Sequence, residues 1–198
     1  MSKRVLAGAG LILLMAECLL FILSWLLSAT MAGNVRSLLS SEGVRWFFGG
    51  FTAMLASPWL VWLVLLAMAG GCLWQSGIVS IRLPLSSLHY RQRVALRTAF
   101  ILMLIYVAAI LALTLVPHAV LLSATGQLFP SPFSRAFVPI VSFGVLLVSV
   151  AYGWASGSFR SLASIVSAMS AGIAATAPLF ILYVVFVQFY ESLRFVFF

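Results

Sequence analysis

From Val5 to Met31 the chain carries one charged side chain, Glu17. No run of that length survives as a surface segment in water, because too much apolar area would stay exposed. About 20 apolar residues match the hydrocarbon core of a bilayer. In lipid every backbone N–H and C=O must be satisfied within the protein, so such a run is a helix. Similar runs recur along the chain. Across its 198 residues 64% are hydrophobic, 7% are charged, there is no aspartate, and the acids are Glu17, Glu42 and Glu191. Soluble domains are about half apolar and a quarter charged. The pattern predicts an all-α, polytopic membrane bundle.

Five spans are expected, over about 5–31, 59–81, 98–116, 136–154 and 162–189, within a single membrane domain covering 1–198. The first follows Ser2-Lys3-Arg4 and is too long for the apolar core of a signal peptide. After a polar hinge at 32–41, the stretch 41–55 reads as a short interfacial helix, with Ser40 or Ser41 as its cap and Glu42 in its first turn. Pro58 suits the start of the second span, whose ends carry Trp59, Trp62 and Trp74. Residues 82–97 read as a basic loop with Arg82, Arg91, Arg93 and Arg97. Pro117 closes the third span, and 117–135 reads as a loop with turn signals at Thr125-Gly126-Gln127 and Pro130-Ser131-Pro132. A tight turn at 157–161 carries Arg160, and 190–198 reads as a short aromatic tail. With the N-terminus inside, seven Lys or Arg fall on the inner side and four on the outer, which favours a cytoplasmic N-terminus.

The formal charge of +8 is spread between apolar runs, so it reads as topology and lipid-headgroup contact, with no nucleic-acid partner. Cys18 and Cys72 fall inside spans and read as small core residues. Glu17 is the foremost polar candidate. A mid-span carboxylate is either a proton or cation site, or a protonated or paired group facing another helix. Gln75 and Gln188, near span ends, can bridge helices by hydrogen bonds. Pro139 and Pro178 lie inside spans, where each frees a carbonyl. Ser164, Ala168, Gly172 and Thr176 recur every four residues and make a smooth packing face, flanked by Ser167, Ala171 and Ala175. Gly153-xxx-Gly157 and Ala67-xxx-Gly71 are shorter versions. His89 and His118 are expected on opposite sides of the membrane, and without aspartate no catalytic triad assembles. No catalytic residue, cofactor or metal site is expected.

The segment 35–46 (Val-Arg-Ser-Leu-Leu-Ser-Ser-Glu-Gly-Val-Arg-Trp), with Leu63–Gly71 and Gln75-Ser76-Gly77, resembles the early part of the AbgT family of p-aminobenzoyl-glutamate and antimetabolite transporters. Later fragments resemble it in the same order: Arg91–Arg97, Leu128–Phe133 with Val138-Pro139-Ile140 and Ala151-Tyr152-Gly153, and Ser167–Ser170 through Gln188-Phe189. The resemblance implies a much shortened member that keeps mainly scaffold and dimer-forming helices. The family's substrate and sodium contacts, including an aspartate in its first re-entrant hairpin, lie in segments without a counterpart here. Where the family has glutamate before the serine, this chain has Gln75.

Two functions follow. By its resemblance to the family the chain is expected to be a carrier for p-aminobenzoyl-glutamate or related small organic anions in the bacterial inner membrane. By its residues it is also readable as a non-transporting scaffold or accessory subunit. Expected partners are the lipid bilayer, a second copy or other membrane subunits, and a small organic anion. An enzyme is not expected.

Overall fold

The computed structural model describes residues 3–30, 35–81, 89–115 and 131–198. Among them the protein forms six α-helices: α1 (Lys3–Ala29), α2 (Ser41–Leu55), α3 (Pro58–Gln75), α4 (Tyr90–Leu115), α5 (Pro132–Ser156) and α6 (Leu162–Phe197). A 3₁₀ turn over Ile78–Ser80 follows α3, and the described residues contain no strand. All but α2 are long and apolar enough to cross a bilayer. The expected features at Met31, 32–34, 82–88, Val116, Pro117, His118, Thr125-Gly126-Gln127 and Pro130 lie outside the described residues.

Local chemistry sets the helix ends. Ser40 caps α2: its side chain accepts from Gly43 N at 3.0 Å, with Glu42 in the first turn. α3 stops at Gln75, short of the expected 81, because Gly77 turns the chain through φ +84, a left-handed conformation open to glycine. α4 starts at Tyr90 and not near 98, so Arg91, Arg93 and Arg97 are helical. Arginine is a good helix former, and a basic run does not break a helix. Gln92 Oε1 accepts from His89 N at 3.3 Å, covering an N–H at that start. α5 starts at Pro132, inside what reads as a loop, on a reciprocal cap between Ser131 and Ser134. It ends at Gly157, with φ +87. α6 runs on through the expected tail to Phe197. Its 36 residues make it about 54 Å long, well beyond the ~30 Å hydrocarbon core.

The helices turn apolar side chains outward and keep small or polar ones inside. Ile12, Met15 and Ile22 of α1 are exposed, as are Leu162, Val166 and Ile181 of α6. Ser24, Ser76, Ser149 and Ser192 are fully buried. That distribution suits a lipid surround, which is as apolar as leucine, and not water. Cys72 is buried as expected, whereas Cys18 is exposed, on the outward face of α1.

The chain forms two compact units, the first Met1–Val61 with Thr176–Phe198, the second Trp62–Ala175. Helices α3 and α6 contribute to both. The core of the first unit is Leu20, Leu38, Phe195 and Val196. In the second unit, Cys72, Phe159, Ile165 and Ala168 form one cluster, and Ala95, Ala99 and Tyr152 another.

Candidate functional site

In the first unit α1 and the C-terminal part of α6 present polar side chains to each other. Ser192 Oγ donates to Glu17 Oε1 at 2.7 Å. Gln188 lies one turn before Ser192 on the same face of α6. Gln188 is 7% exposed, and neither its Oε1 nor its Nε2 has a hydrogen-bond partner. Glu17 Oε2 is buried and equally unpartnered. Three orphaned polar atoms thus come from two helices that share one polar contact. A buried polar group without a partner costs about 1–3 kcal/mol.

Neighbouring contacts hold this region in place. Ser24, two turns beyond Glu17, accepts from Leu38 N at 3.1 Å and donates to the Phe21 carbonyl at 2.9 Å. Arg36 N donates to the Val196 carbonyl at 3.1 Å, satisfying a carbonyl at the end of α6. Trp46 of α2 stacks on Phe195, with ring centroids 4.4 Å apart, and the Arg36 guanidinium lies 5.8 Å from the same ring. Further along, the Tyr183 hydroxyl donates to the Leu55 carbonyl at 3.1 Å and meets the Ser57 hydroxyl at 2.5 Å, tying the α2–α3 corner to α6. Contacts step from Glu17–Ser192 to Ser24–Leu38 and Arg36–Val196, so α1 and α6 run in the same direction.

The other candidate residues fall elsewhere. Gln75 is exposed at the last turn of α3 and belongs to the second unit. Ala168 and Gly172 are buried against α3. A β-carbon on Gly172 would strike the Ala67 carbonyl, and one on Gly71 would strike the Ala168 carbonyl. Ser164 and Thr176, at the ends of that row, are half-buried, and Ser164 bonds with Ser161 at the start of α6. Gly153 and Gly157 do not form a helix-packing pair. Gly153 makes room for the Phe159 ring, and Gly157 is the turn that ends α5, beside the Arg91 side chain. Pro139 and Pro178 sit inside α5 and α6 as expected. Among the described residues no three His, Cys, Asp or Glu side chains come together.

Sequence reasoning missed Ser192. It lies in the stretch read as a tail, and its partner is 175 positions away. The available signal was the four-residue spacing of Gln188 and Ser192, continuous with a helical face.

A model of the AbgT putative transporter family matches residues 80–195, more than half of the chain. The chain belongs to the AbgT family. It is accordingly a multi-pass membrane protein of a transporter family. No curated protein and no solved structure matches it. The AbgT match takes in α4, α5 and α6 almost to its end, including Gln188 and Ser192. Of the fragments that resemble the family, Arg91–Arg97 and all later ones fall inside the match, while 35–46 and 63–77 precede it. Glu17 and Gln75 also precede it.

Proposed function

We propose that this AbgT protein moves p-aminobenzoyl-glutamate or related small organic anions across the bacterial inner membrane, with its N-terminus in the cytoplasm, and that it does so as a transporter and not as an enzyme. Family membership supports the transport class. The observation that carries the site is the set of orphaned atoms on Glu17 and Gln188 beside Ser192. Intramembrane ionisable groups mark ion and proton paths. A carboxylate, a carboxamide and a hydroxyl offer oxygen donors suited to a proton or a hard monovalent cation. Binding and release of that ion would bias the packing of α1 on α6, the kind of coupling a carrier needs.

A second reading, a non-transporting scaffold or accessory subunit working as a homodimer or with other membrane proteins, is favoured by one observation. The stretch 62–175 holds no acidic residue. Uptake of labelled p-aminobenzoyl-glutamate into proteoliposomes of the pure protein separates the two. Saturable flux above that of empty liposomes is expected. Flux equal to the empty control, from protein that is folded and correctly inserted, selects the scaffold.

A further inference from the structure

The second unit carries six arginines, Arg82, Arg91, Arg93, Arg97, Arg135 and Arg160, with no aspartate or glutamate between positions 62 and 175. Arg91 sits beside Gly157 at the C-terminus of α5, where a cation suits the helix dipole. Arg93 and Arg97 have a different setting. Four residues apart on one face of α4, they line a cleft of about 690 Å³ whose remaining wall includes Phe100, Met103 and Val148. A second cleft of about 410 Å³ shares Met103 and Val148 and continues along α4 past Tyr106 and Val107. Among the described residues no charged one lines it, and the Tyr106 hydroxyl there already donates to the Ile140 carbonyl at 2.8 Å. The groove is thus cationic at one end and apolar beyond. From Arg97 to Val107 it extends about 15 Å, the depth of one leaflet of a ~30 Å hydrocarbon core.

We propose that this groove between α4 and α5 binds an anionic phospholipid. The phosphate sits on the Arg93 and Arg97 guanidiniums, which match phosphate geometry. One acyl chain lies over Phe100, Met103 and Val148 and continues toward Val107. A compact soluble anion satisfies the arginines but leaves the apolar length unfilled, and a zwitterionic lipid fills the length while its own ammonium weakens the charge match. The site does not depend on the transport reading, since Glu17, Gln188 and Ser192 take no part in it.

Native mass spectrometry of the purified protein tests this, with phosphatidylglycerol, phosphatidylcholine and water-soluble glycerophosphate as probes. Phosphatidylglycerol should bind at least tenfold tighter than phosphatidylcholine, and glycerophosphate should not be retained. Each basic residue near an anionic lipid surface contributes about 1 kcal/mol, so R93Q/R97Q together should weaken phosphatidylglycerol binding about 30-fold. R93K/R97K, which keeps the charge but loses the guanidinium fork, should recover only part of the affinity lost in R93Q/R97Q, and R160Q should match the parent. Equal affinity for the two lipids overturns the proposal. So does an undiminished affinity in a folded R93Q/R97Q protein. Glycerophosphate binding as tight as the lipid's would make the groove a soluble-anion site and overturn the acyl assignment.

Discussion

The two units are fastened in different ways. In the first, side chains reach across: Ser192 to Glu17, Ser24 to Leu38 N, Tyr183 to Leu55 and Ser57. All three acids of the chain, Glu17, Glu42 and Glu191, belong to it. In the second, contact depends on side chains that are absent. Gly71 and Gly172 let α3 and α6 touch backbone to backbone, and Gly144 leaves room for the Tyr106 ring. Within a membrane there is little hydrophobic force between helices, so close packing and polar contacts are the available means of association. Close packing yields a rigid crossing. In the proposed transport reading the Glu17–Ser192 contact yields one that responds to an ion, because protonation or cation binding changes the carboxyl that makes it.

The largest effect should come from G172V. Its branched side chain meets the Ala67 carbonyl, which belongs to backbone and cannot swing aside. A loss of about 3 kcal/mol in denaturant titration of the micellar protein is expected. A parent-like transition would mean that close approach does not fasten the second unit. S24A comes next. It leaves the buried Leu38 N–H without its acceptor, at a cost of about 2 kcal/mol, with accelerated amide exchange at Leu38 as the local readout. S192A removes the partner of Glu17 Oε1 and should cost about 1 kcal/mol. A change as large as that of G172V would overturn the ranking of packing above polar contact. Y106F deletes the hydrogen bond to the Ile140 carbonyl but keeps the ring against Gly144, so about 0.6 kcal/mol is expected. A greater loss in the same titration would show the second unit to be polar-fastened too.

These residues also show what a linear reading can reach. The all-helical membrane architecture, the interfacial-length helix at Ser41–Leu55 and a serine cap at its start follow from local composition and capping chemistry, and the structure selects Ser40 over Ser41. Two helix ends were hidden because charge and aromatic content were read as loop. The arginines of 91–97 and the residues after Gln188 sit comfortably in helices that continue beyond an apolar run. Gly77 ended α3 early, since a left-handed glycine stops a helix whatever the hydropathy around it. Glu17 stood out in the sequence because a charge in an apolar run is conspicuous. Ser192 and the orphaned state of Gln188 did not, because a serine or a glutamine acquires meaning only from what the fold places opposite it.

Uptake by E17Q in proteoliposomes tests most directly whether the polar crossing of α1 and α6 is the working element. Glutamine keeps the size of the side chain and an oxygen for Ser192 Oγ, so the thermal transition should match the parent's. Uptake of p-aminobenzoyl-glutamate should fall to the level of empty liposomes, because the group proposed to exchange a proton or cation is gone. Parent-level uptake by a folded E17Q protein would contradict the account.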